Sequence, residues 1–133
     1  MKRAAKRRTL PASIKASSIP ISEHSIQATL VAILEYKLRP GVVRIAIPNG
    51  GLRKIRVAMK LKDEGVQPGA PDLLFAVESG QVIWLELKNA KGGLSDAQIG
   101  MHAKLRALGH LVGVANSVDK GLEFLRMHGL LRP

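Results

Sequence analysis

The stretch "PDLLFAVESGQVIWLELK", residues 71–88, decides how this chain is read. Two apolar runs joined by a short turn predict a hairpin, yet its strands carry charges where a buried pair should have none. Asp72 opens the first strand, and Glu86 and Lys88 close the second. Alternate side chains on a strand share a face, so Ile83, Leu85 and Leu87 form one row and Val82, Trp84, Glu86 and Lys88 the other. A three-residue loop around Gly80, a common hairpin choice, pairs either Val77 with Gln81 or Glu78 with Val82. The first register sets Asp72 opposite Glu86, the second opposite Lys88. Directly opposed residues face the same side, so either register gathers the three charges at one end of the hairpin. A two- or four-residue loop would turn Asp72 to the other face, unless a bulge intervened.

Two carboxylates converging on half-buried strands repel and raise each other's pKa. A divalent cation removes that conflict, and paired oxygen ligands suit Mg²⁺, which retains several waters. A lysine beside the ion can orient or deprotonate a water, or stabilise charge developing on a phosphate. That combination is what metal-assisted phosphodiester hydrolysis needs. The same residues also fit a structural ion pair between Glu86 and Lys88, with Asp72 merely starting a strand after Pro71. Spacing alone leaves both open.

The rest of the composition narrows the partner. At 133 residues the chain reads as one domain, long enough to bury a real core, and 46% apolar residues support a globular protein. No cysteine is present, which excludes disulfides, cysteine-ligated zinc and thiol catalysis and fits a cytoplasmic setting, in a bacterium or a phage-infected host cell. Net charge is +11. Residues 1–20 hold six Lys or Arg and no acid, and a further eight lie between Tyr36 and Lys62 with no Asp or Glu. A basic tail and a basic internal segment point to a polyanion, most often nucleic acid. The only aromatics are Tyr36, Phe75, Trp84 and Phe124, too few for base stacking, so binding would run through phosphates. The longest apolar run, "ATLVAIL", is far short of the roughly 20 residues of a membrane span, so no membrane partner is expected. The start has a signal peptide's charges but no apolar segment after them; residues 1–20 read as a disordered basic tail, with a transit peptide as the alternative.

Capping and turn signals divide residues 21–133 into elements. Ser22 is a candidate N-cap for a helix from about Glu23 to Leu38, stopped by "RPG". Glu23 and Gln27 lie one turn apart on one face of it. "VVRIAI" predicts a strand and "PNGG" a turn. "LRKIRVAMKLKDEG" predicts a basic helix ending at Gly65, and "VQPGAP" a loop before the hairpin. After "NAKGG", Ser95 with Gln98 three residues on has capping-box spacing for a helix to about Leu108. "LVGVA" predicts a strand, and Ser117 caps a last helix through Met127. The order α, β, α, β, β, α, β, α predicts an α/β fold with a central mixed sheet flanked by helices.

On these residues the chain resembles a known family. Asp72 followed by "ELK" fourteen residues on is the pattern of the PD-(D/E)XK nuclease superfamily. Glu23 with Gln27, "PNGG", "GVQPGAPD", "LELK", and "LSDAQ" followed by "LGH" make residues 21–127 similar to the VRR-NUC family, the nuclease module of viral and repair proteins. The resemblance implies a restriction-endonuclease-like core. It implies Asp72 and Glu86 as metal ligands, Lys88 as the catalytic lysine, and Glu23 as a further acid of the site, directly or through water. Gln98 would complete the site, against its local capping reading. Glu35 is a rival to Glu23, although its basic neighbours suggest a surface pair.

The function this implies is a Mg²⁺-dependent DNA endonuclease, with Mn²⁺ able to substitute. Stand-alone members of the family look like junction-resolving homodimers, which implies branched DNA such as Holliday junctions, a role in DNA repair and a dimeric chain. Linear, nicked or flap DNA, or nucleic-acid binding without catalysis, are the alternatives. Candidate DNA contacts are Asn49, Arg53, Lys54, Arg56, Lys60 and Lys62. His102, one turn after Gln98, could reach substrate; His24, His110 and His128 show no metal-ligand spacing, and all four histidines are read as non-catalytic.

Overall fold

Helix α1 (Glu23–Lys37) begins where Ser22 leaves helical backbone and its hydroxyl accepts the Ser25 N–H. Its apolar positions recur at helical spacing, and Ile26, Leu30 and Leu34 are the ones fully buried. The computed structural model describes residues 21–48 and 55–133, with the side chains of all of these except 55–58. Along them run α1, β1 (Val43–Ala46), α2 (Ile55–Asp63), β2 (Leu73–Ala76), β3 (Val82–Leu87), α3 (Asp96–Ala107), β4 (Leu111–Ala115) and α4 (Val118–Met127). This is the element order expected from the sequence. The basic tail lies outside the described residues, as does the start of the predicted basic helix.

The strands form one sheet in the order β1-β2-β3-β4. The first three run antiparallel to their neighbours, and β4 lies parallel to β3. A parallel partner needs a crossover connection, and α3 supplies it. Leu73 and Phe75 of β2 and Ile83, Leu85 and Leu87 of β3 share one face and are buried against α1 and α4. The opposite row, Trp84 and Glu86, faces α3, whose His102 touches Glu86. The fold is therefore α/β, a mixed four-stranded sheet with α1 and α4 on one side and α3 on the other.

Strand β1 lies at the sheet edge, and its two faces differ in kind. Arg44 sits on the core-side row and its guanidinium reaches Glu35 of α1 at 2.7 Å. Val43 and Ile45 point the other way and are exposed. Among the described residues no helix is long and apolar enough to cross a membrane.

Candidate active site

The hairpin turn selects the register. A single 3₁₀ turn, Glu78–Gly80, joins β2 to β3, with Ser79 at φ 75° and Gly80 at φ 80°. Two successive left-handed residues are costly for most side chains, and Gly80 supplies one without penalty. Val77 donates its N–H to the Gln81 carbonyl at 3.2 Å. Leu73 then pairs with Leu85 and Leu74 with Trp84, and continuing the ladder one step sets Asp72 opposite Glu86. Of the two registers open to a three-residue loop, the chain adopts the one that opposes the carboxylates. Counting from the hydrogen-bonded Val77–Gln81 pair, Asp72–Glu86 falls at a non-hydrogen-bonded position, where opposed side chains approach most closely.

The ladder stops at Pro71, which has no N–H to give. Asp72 takes over there: its Oδ2 accepts the Leu87 N–H at 2.7 Å, and the Asp72 carbonyl accepts the Ile47 N–H at 2.8 Å. Glu86 is only 1% exposed. Burial first, then the hydrogen bond to Asp72 and the Asp72 charge, push the Glu86 carboxyl from its ordinary 4.5 up to about 9. Lys88 opposes the rise and Glu23 adds to it. A carboxylate pair in electrostatic conflict is a donor set that fits a hard divalent cation such as Mg²⁺. Among the described residues no group of three or more His, Asp or Glu side chains is assembled to hold a metal. The pair thus offers two oxygen ligands and leaves further positions to water and substrate, as Mg²⁺ sites commonly do.

Lys88 lies on the same row as Glu86, with its side chain 13% exposed, and its Nζ stands 3.9 Å from Glu23 Oε1. Glu23, at the start of α1, therefore meets the site through the lysine. Glu35 lies elsewhere: it is taken up by Arg44 at the sheet edge, the surface pair its neighbours suggested. Gln98 is engaged in the cap. Its Oε1 accepts the Ser95 N–H at 2.9 Å while its own N–H donates to Ser95 Oγ at 3.2 Å.

The start of α3 is fixed against the loop that leads into Asp72. Gly69, at φ +83°, lies so close to it that a Cβ would fall 2.2 Å from the Ala97 carbonyl oxygen and 2.8 Å from the Gln98 nitrogen. This contact couples "GVQPGAPD" to "LSDAQ", two segments well separated along the chain. His102, read from sequence as non-catalytic though one turn from Gln98, is buried away from substrate. It is 1% exposed, with Nε2 3.4 Å from Glu86 Oε1.

Of the candidate DNA contacts, Asn49, Arg53 and Lys54 lie outside the described residues, as does the Arg56 side chain. Lys60 and Lys62 are exposed in the last turn of α2. A cleft of about 240 Å³ opens beside Lys88, with Gly92, Asn116 and Lys120 among its walls. Asn116 and Lys120 were not singled out from sequence. The available signal was their place, straight after a parallel strand and at the start of the following helix, where open α/β sheets bind ligands.

No family model matches the sequence, and no curated protein matches it. Solved structures do. One, described as "VRR_NUC domain", superposes with a TM-score of 0.54 at 23% identity, over 80% of this chain and 96% of that one. Another, described as "VRR_NUC domain protein", gives a TM-score of 0.62 at 17% identity, over 81% and 88%. The chain shares the fold of these VRR_NUC structures over most of both lengths.

Proposed function

We propose that this chain is a divalent-metal-dependent nuclease of the VRR-NUC kind that hydrolyses phosphodiester bonds in DNA. The observation that carries this reading is the pairing of Asp72 with the buried Glu86, with Lys88 on the same row. The shared VRR_NUC fold supports it, and so does the net charge of +11.

In this reading Asp72 and Glu86 hold a Mg²⁺ or Mn²⁺ ion, which supplies Lewis acidity toward the scissile phosphate and its attacking water. The chain's own groups do the rest. The Leu87 N–H fixes one oxygen of Asp72 and so orients its carboxylate. Lys88 donates to a non-bridging phosphate oxygen and offsets charge that grows in the transition state. Glu23 holds Lys88 at the rim. Lys120 and Asn116 receive the backbone of the strand being cut, and the α2 lysines extend the phosphate contacts. Such contacts position DNA without reading its sequence, which fits an endonuclease that recognises shape. Branched DNA is the proposed substrate and a homodimer the proposed assembly, since two symmetric cuts need two sites. A cytoplasmic setting goes with that substrate.

The test is incubation of the full chain with labelled four-way junction, flap, nicked and linear duplex, with Mg²⁺, with Mn²⁺ and with chelator. Metal-dependent cleavage, fastest on the junction, is expected. Binding without cleavage in either metal would show a nucleic-acid-binding protein with a structural acidic pair. Cleavage with no junction preference would keep the nuclease and remove the branched substrate. A solution mass near 14.3 kDa during active cleavage would remove the dimer.

A further inference from the structure

Helix α3 buries one side chain completely, and that side chain is a histidine. A helix covering a sheet ordinarily does so with aliphatic residues. Here Met101 and Leu105 are half-buried and Ile99 is exposed, while His102 is 1% exposed. Its Nε2 lies 3.4 Å from Glu86 Oε1, and its Nδ1 has no hydrogen-bond partner among the described residues. A buried ring nitrogen without a partner costs folding free energy. A position that only needed filling would be better served by Leu or Met, so the ring must be retained for its other nitrogen. With a cation bound and Glu86 ionised, the orphan also favours one tautomer. A proton on Nδ1 would strand a donor and turn a lone pair toward the carboxylate, whereas a proton on Nε2 gives the carboxylate a donor and leaves only an acceptor unpaired at Nδ1.

We propose that His102 is a positioning residue, donating Nε2–H to Glu86 Oε1 so that the carboxylate stays turned toward Asp72. The ring is too buried to touch substrate, so it acts through Glu86. Hydrogen bonds that orient a ligating carboxylate are commonly needed for tight metal binding. The inference rests on the reading that Asp72 and Glu86 hold a divalent cation, and it adds the residue that orients one of them.

The test is Mn²⁺ titration by calorimetry of the wild-type chain and of Asp72→Asn, His102→Leu, His102→Asn and His102→Gln, with thermal melts of each. His102→Leu and His102→Asn should weaken Mn²⁺ binding about 10- to 100-fold. His102→Gln, whose amide nitrogen reaches the place of Nε2, should keep most of the affinity. His102→Leu removes the stranded Nδ1 but also a partner of the buried Glu86, so its Mn²⁺ affinity rather than its melt is the readout. If His102→Leu fails to fold, the Gln and Asn pair decides the matter. If both polar variants lose affinity alike and in step with a falling melt, the ring merely packs and the proposal fails. Wild-type affinity in the Leu and Asn variants, with none in Asp72→Asn, overturns the positioning role and leaves the metal site standing. A wild-type chain that binds no Mn²⁺ overturns both.

Discussion

Asp72 and Glu86 face each other at the open end of the β2–β3 ladder, and Asp72 Oδ2 closes that end by accepting the Leu87 N–H at 2.7 Å. The carboxylate that ends the strand pairing is thus the one opposed to the buried Glu86. Asp72→Asn keeps an oxygen for the Leu87 N–H while removing the charge. It should fold like wild type and lose its divalent-cation response in thermal melts. A variant whose melt still rises with Mg²⁺ as wild type does would place the cation elsewhere.

The Glu86 carboxyl makes stability depend on pH. Its folded value of about 9 lies above its ordinary 4.5, so the folded chain holds a proton that the unfolded chain releases. The contribution is complete below about 4.5 and is lost as pH rises through about 9. Metal-free wild type should therefore melt progressively lower across that window. Glu86→Gln should flatten the decline, and Mg²⁺ should raise the wild-type melt most at the alkaline end. Parallel pH profiles for wild type and Glu86→Gln would contradict this electrostatic account.

Two carboxylates on α1 should behave differently. Glu23 stands at Lys88 and Glu35 at Arg44. Glu35→Ala breaks a largely exposed pair, and should change stability by less than about 1 kcal/mol and leave cleavage intact. Glu23→Ala should slow cleavage with little change in urea midpoint. The reverse pattern in cleavage rates would make Glu35 the helix carboxylate of the site.

Gly69 should tolerate no side chain. Alanine there meets both an unfavourable φ of +83° and the Ala97 carbonyl oxygen. Together the backbone strain and the overlap should cost about 2–5 kcal/mol, read from urea unfolding. A neutral Gly69→Ala would mean that the α3 start is not pinned to the Asp72 loop.

Gln98 can be divided between its two readings because Glu also completes a capping box. Gln98→Glu should melt near wild type and Gln98→Ala lower, by about 1 kcal/mol of cap stability. If Gln98 also serves the site, both variants cut slowly. Full activity in Gln98→Glu leaves it the cap alone.

Much of this fold was legible in the sequence because its boundaries are chemical. Ser22, Ser95 and Ser117 each accept an N–H at a helix start, and such caps can be read from local residues. For a three-residue loop the hairpin could be narrowed to two registers, since strand alternation fixes faces; fixing the loop length and the register took the backbone of Ser79 and Gly80. What could not be read depends on contacts between distant segments. Nothing near His102 in the sequence says that it lies under Glu86, sixteen residues away. Gly69 against Ala97 is likewise a packing fact. In β1 the edge position sets which row is covered, so Val43 and Ile45 are exposed and Arg44 turns to the core side.

Asp72, Glu86 and Lys88 are proposed to form one metal-dependent cutting site. Single-turnover cleavage of a labelled four-way junction in Mg²⁺, comparing wild type with Lys88→Ala and Asp72→Asn, tests it most directly. Lys88→Ala should slow cleavage by about 10²- to 10³-fold with DNA affinity nearly kept, and Asp72→Asn should fall to the rate seen in chelator. Cleavage by both variants at the wild-type rate would contradict it.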